Sequence, residues 1–187
     1  MFILYALLLG LVVGLLSGGR SDGIATLQFR WPWLMVGGLL IQVVLFSDQV
    51  TTWIGSAGPP IYVVSTAVVI ASVVANRAIP GMLVVAIGAF SNLLAIVANG
   101  GFMPASPTAM DALGRHAATT YSNSAILANP ALAALTDQYA LPGWLPLANV
   151  FSIGDALIAL GLAVAIVSAM RSAAGASGKL PQPTELS

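Results

Sequence analysis

The chain has 187 residues, of which 58% are apolar and 6% charged, with a formal net charge of zero. Soluble domains carry roughly 25% charged residues, so this chain cannot cover a water-facing surface and lipid must be its main solvent. The balanced charge gives no reason to expect a nucleic-acid partner. With no Cys and one His, disulfides, thiolate chemistry and a multi-His metal site are excluded. The expected class is an all-α integral membrane protein of a single domain, with no cofactor and no metal.

In chain order, five apolar stretches approach the ~20 residues that a helix needs to cross ~30 Å of hydrocarbon. They are residues 2–19, 31–53, 61–75, 80–98 and 150–170. The first lacks a basic leader region and a small-x-small cleavage site, so it reads as a retained span rather than a signal sequence. Its Gly10, Gly14 and Gly18 form a repeated small-xxx-small pattern suited to close helix packing, within the chain or against a second subunit. Trp31, Trp33 and Trp53 bracket the second stretch like interfacial anchors, and Asp48 lies in its outer part. The third is short for a span and would cross with little tilt or borrow flanking residues.

Arg20, Arg30, Arg77, Arg171 and Lys179 fall on one side of this five-span arrangement, and Arg115 alone falls on the other. The positive-inside rule then places the N-terminus outside and the C-terminus in the cytoplasm, in a bacterial plasma membrane. The outer loop, residues 99–149, carries its own helix signals. Ser106-Pro107 and Asn129-Pro130 each set a capping residue before Pro, Gly114 is a stop, and residues 130–138 read as an interfacial helix. Residues 172–187 read as a disordered cytoplasmic tail.

Few residues can carry chemistry. Asp155 stands about one turn into the last span. It is either a helix cap, because Ser152 and Asp155 fit the S-x-x-D capping box, or a functional carboxylate, because an intramembrane charge is costly. Asp48 is the second acidic candidate, against a reading as an interfacial residue. Asn92 and Asn99 share one helix face and are candidates for helix-to-helix bonding or ligand binding, although Asn99 also fits a helix end. His116, beside Arg115, is a binding candidate whose plainer reading is a loop-packing residue.

Asn99-Gly100-Gly101-Phe102-Met103-Pro104, the run from Asn149 to Gly161, and Arg30-Trp31-Pro32-Trp33 resemble an uncharacterised bacterial membrane family, domain of unknown function 5317. That resemblance implies no activity. Two shorter stretches are similar to lipoprotein signal peptidases, the membrane aspartic proteases. Gly88-Ala89-Phe90-Ser91-Asn92-Leu93-Leu94 resembles their G-A-x-x-N-L-I, and Phe151-Ser152-Ile153-Gly154-Asp155-Ala156-Leu157-Ile158 their F-N-x-A-D-S-x-I. The similarity implies that Asp155 matches one catalytic aspartate and Asn92 a site-lining Asn.

Counting from Asn92 puts the second catalytic aspartate at Met103 or Pro104, neither acidic. Ala95-Ile96 replace the Asp-Arg after N-L-I, and Ser152 replaces the Asn of F-N-x-A-D. Aspartic hydrolysis needs two carboxylates, one activating water and one protonating the carbonyl. A second acid near Asp155 would have to come from Asp48, Asp111 or Asp137. The expected function is therefore non-enzymatic: an accessory or assembly subunit, or a binder of a lipid or lipid-linked partner. The expected partners are the bilayer and a membrane protein or a second copy of the chain. The alternative is a membrane hydrolase using Asp155 and a second acid. On the count from Asn92 the chain is not expected to cleave lipoprotein signal peptides.

Overall fold

The computed structural model describes residues 2–51, 53–114 and 124–177. These residues are mostly helical: α1 Phe2–Leu16, α2 Pro32–Leu45, α3 Asp48–Thr51, α4 Gly58–Ala75, α5 Met82–Ala98, α6 Pro107–Asp111 and α7 Ile153–Ser177. Four two-residue strands are present as well: β1 Met103–Pro104, β2 Ser124–Ala125, β3 Tyr139–Ala140 and β4 Val150–Phe151. β1 pairs with β2 in parallel, and β3 pairs with β4 antiparallel.

Glycine follows the ends of three helices, α1, α5 and α6. The α1 ladder closes with Gly18 left-handed at φ 79° and Gly19 N–H donating to Gly14 O at 2.9 Å. The end of α5 repeats the device, with Gly100 at φ 72° and Gly101 N–H donating to Ile96 O at 2.8 Å. Gly114, left-handed at φ 61°, follows α6.

Four boundaries differ from the sequence reading. The stretch 31–53 is not one helix, since α2 stops at Leu45 and α3 begins at Asp48. The stretch 61–75 gains length at its start, because a 3-10 turn, Gly55–Ala57, leads into α4 at Gly58. Residues 130–138 are not a helix. A 3-10 turn covers only Ala133–Leu135, and the chain then extends through the buried Thr136 and Asp137. The last helix starts after β4 and runs through Arg171 to Ser177, into what read as tail. Its closing turns are rich in Ala, the best helix former. With the turn before it, α4 forms an apolar helix, Gly55–Ala75, that is long enough to cross a membrane, and so does Ile153–Gly175 in α7. α1, α2 and α5 are shorter apolar helices.

The long helices pack in the order α1, α7, α5, α4, α2. Glycines set the closest approach, between α5 and α7. A Cβ at Gly88 would collide with Gly154 O, one at Gly154 with Asn92 Oδ1, and one at Gly81 with Gly161 O. Gly10 and Gly14 of α1 lie against Ala163 and Met170 of α7. Gly18 departs from that stripe, because it lies past the helix end with open space where a side chain would be. Buried clusters stay small, such as Leu45, Tyr62, Ala95, Ile96 and Met103. Large apolar side chains face outward all along α1, α2 and α5, among them Leu8, Leu16, Val43, Leu83 and Phe90.

Candidate functional site

At the start of α7 the sequence S-x-x-D forms a reciprocal cap. Ser152 Oγ accepts the Asp155 N–H at 3.0 Å, and Asp155 Oδ2 accepts the Ser152 N–H at 3.1 Å. Asn92 of α5 closes the group from the facing helix. Its Nδ2 donates to Asp155 Oδ1 at 2.8 Å, and its Oδ1 accepts the Ser152 hydroxyl at 2.8 Å. Both Asp155 oxygens therefore accept hydrogen bonds. Ser152 is fully buried. The absence of side chains at Gly88 and Gly154 lets Asn92 reach it.

A second carboxylate stands close by. Asp137 is 7% exposed, and among the described residues its carboxylate has no hydrogen-bond partner. Its backbone is tied to the chain that follows α5. Asp137 N–H donates to Pro104 O at 2.9 Å, Ser106 N–H donates to Asp137 O at 2.9 Å, and Ala105 and Asp137 form a parallel bridge. The turn Ala133–Leu135 just before it packs on both α5 and α7. Burial first, and then the charge of Asp155, push the Asp137 carboxyl up from 3.8 to about 7. Asp137 thus titrates near neutral pH, within electrostatic reach of a carboxylate fixed by Asn92 and Ser152.

The count from Asn92 ended at Met103 or Pro104, and it is the Pro104 carbonyl that receives the Asp137 N–H. The acid stands in the neighbouring segment, after an excursion that returns beside the counted position. In the sequence Asp137 is only one of three candidate second acids, in an Ala- and Leu-rich stretch that reads as an interfacial helix.

Asn99 and Asp111 lie apart from this group, and the side chains of two further candidates fall outside the described residues. Asn99 caps α5 and binds the backbone of Ala131 through both ends of its carboxamide. Asp48 opens α3, and its side chain lies outside the described residues, as does all of His116. Asp111 ends α6 and is exposed. Among the described residues no group of three or more His, Cys, Asp or Glu could hold a metal.

The chain is thus a mostly helical protein with two helices able to cross a membrane and a pair of acids at the head of one of them. It belongs to the family described as family of unknown function DUF5317, whose model matches residues 26–167. That span includes Asn92, Asp137 and Asp155 and leaves out α1. No curated protein and no solved structure matches the chain.

Proposed function

We propose that this protein is a five-span membrane hydrolase of the aspartic type, acting at the outer membrane interface through Asp137 and Asp155. The observation that carries the reading is the buried Asp137 carboxyl, near enough to the hydrogen-bonded Asp155 for that charge, with burial, to raise its titration to about 7. Asp155 takes a proton from water as the oxygen attacks a carbonyl carbon, and Asp137 gives its proton to the carbonyl oxygen. Collapse of the tetrahedral species returns one proton to Asp137 and passes the other from Asp155 to the leaving group. With Asp137 in place, the lack of an acid at Met103 or Pro104 no longer argues against this chemistry.

Five spans are supported by the outward apolar faces of the three shorter helices, which leave α1, α2 and α5 as unsuited to water as α4 and α7. The plasma membrane of a bacterium is the location that fits this reading.

Membrane proteomes would be compared between cells lacking the gene and the same cells expressing the wild-type, Asp137→Asn or Asp155→Asn protein. The expected result is a set of membrane proteins or peptides that stay uncut without the gene and with either variant. Full restoration by both variants would overturn the reading. Rescue of a strain lacking its lipoprotein signal peptidase is a separate arm, which reports whether lipid-modified precursors are among the substrates.

A second reading, a non-enzymatic binder of a lipid or lipid-linked partner, is favoured by one observation. An open groove between α1 and α7, lined by Leu9, Gly10, Val13, Val164 and Ser168, has Arg171 at its end. It lies at the opposite end of α7 from Asp155, so an Arg171→Gln phenotype with normal processing would favour the binder.

A further inference from the structure

Resting on the assignment of Asp137 to the reacting pair, we infer that Asn99 is the positioning residue of this site: by clamping the backbone at Ala131 it fixes the segment Leu132–Asp137 over the ends of α5 and α7. Asn99 Nδ2 donates to Ala131 O at 2.9 Å, and Asn99 Oδ1 accepts the Ala131 N–H at 2.8 Å. A carboxamide offers one donor and one acceptor side by side, so it pairs with a peptide unit as a strand neighbour would. The second Nδ2 hydrogen goes to Ala95 O at 2.8 Å, which holds the side chain against the last turn of α5. The clamp therefore joins the outer segment directly to the helix that carries Asn92.

The segment needs such a clamp. The chain leaves β1 near Ala105, pairs with it at Ser124–Ala125, and comes back again at Asp137, where, among the described residues, two backbone bonds to Pro104 and Ser106 and one bridge receive it just before β3 pairs with β4. A ladder this short is marginal by itself. Between the clamp and the bridge, Leu132 is left-handed at φ 50°, half exposed, and not a glycine. Such a conformation persists only where the surroundings impose it. Asn99 holds the residue immediately before Leu132, and the 3-10 turn Ala133–Leu135 follows, closed by Leu135 N–H to Leu132 O at 2.8 Å. Thr136 then buries completely and delivers Asp137 beside Asp155, the ionisable group that acts on it.

The test reads a proton rather than an unknown substrate. The full-length protein in detergent micelles is titrated by infrared spectroscopy, and the protonated carboxyl band of Asp137 is assigned by its loss in Asp137→Asn. In Asn99→Ala the midpoint is expected to fall by at least one pH unit, a tenfold change in the dissociation constant, as the segment leaves its buried seat. Asn99→Gln, which keeps a donor and an acceptor, should hold the midpoint closer to wild type. A merely structural Asn99 would lower the unfolding temperature and leave the midpoint in place. An unchanged midpoint in folded Asn99→Ala overturns the inference. If that variant does not fold, Asn99→Ser, too short to pair with the Ala131 peptide, takes its place: a midpoint lowered by a full unit or more supports the inference, and an unmoved one overturns it. A moved midpoint without any uncut substrate in the proteomic comparison would retire the hydrolase and leave the positioning role standing.

Discussion

Asn92 of α5 donates its side-chain amide to Asp155 of α7 across 2.8 Å, joining residues 63 positions apart in sequence. The same amide accepts the Ser152 hydroxyl, so cap, carboxylate and facing helix form one closed set. Removing Asn92 strands two partners at once. Asn92→Ala is expected to cost about 1–3 kcal/mol, the penalty of an unsatisfied buried polar group. Ser152→Ala should cost about 1 kcal/mol through the lost cap. Unfolding of the two single variants and the double variant in detergent tests the set. Strict additivity would mean that the three residues do not act together.

Asp137 gives the protein a pH dependence of stated sign. Unfolded, its carboxyl titrates near 3.8, and folded it titrates near 7. Between those values the folded state binds more protons, so its contribution is most favourable below about pH 4 and is lost as pH rises through 7. The shift corresponds to about 4 kcal/mol at ~1.4 kcal/mol per pH unit. Asp137→Asn should flatten this part of the stability profile and be the more stable protein at pH 8. Unfolding curves from pH 4 to 8 check it, and parallel profiles for the two proteins would contradict it.

Local chemistry made part of this legible from the sequence. The glycine stops, the Ser106-Pro107 start of α6 and the S-x-x-D spacing at Ser152 are short-range signals, and each marks a feature the structure contains. Non-local pairing left no such mark. Asp137 meets Pro104 and Ala105 through a parallel bridge more than thirty positions back, which no periodicity records. The break after Leu45 is marked only by the polar run Ser47-Asp48-Gln49 that interrupts the apolar stretch. The run from Leu39 to Phe46 is uniformly apolar, apart from Gln42, with no Pro or Gly to announce an end.

The glycine contacts between α5 and α7 predict a contrast between two substitutions of the same kind. Gly154→Ala pushes a methyl group into Asn92 and the Gly88 carbonyl. The Gly88 carbonyl cannot yield without parting the helices, and Asn92 can yield only by giving up its bonds to Ser152 and Asp155, so a loss of about 1–3 kcal/mol is expected from overpacking. Gly37 of α2 has open space at the same place, and Gly37→Ala should be neutral or stabilising by up to about 1 kcal/mol. Thermal unfolding of both variants in one detergent decides it. Equal losses would mean that the α5 and α7 contact is looser than drawn.

The proposed topology makes the last prediction, and two contacts argue for it independently of the spans. Arg20 N–H donates to Met170 O at 2.9 Å, which places Arg20 beside Arg171 at one end of the helix row. The backbone of Arg30 is held by Asn76, at 2.7 Å through its N–H and 2.8 Å through its carbonyl, so Arg30 and Arg77 also share an end. At the other end Phe2 N–H donates to Asn149 Oδ1 at 2.9 Å, close to Ser152 and the acid pair. Since basic residues stay in the cytoplasm, the end with Arg20 and Arg171 is expected inside and the acid pair outside. Alkaline phosphatase, which needs export to be active, should work when fused after Gly114 and fail when fused after Arg77 or Ser187. The loop between α5 and α7 is the decisive fusion. Activity at Ser187 together with inactivity at Gly114 would invert the arrangement and move the Asp137 and Asp155 pair to the cytoplasmic side, where a hydrolase of this kind would meet different substrates.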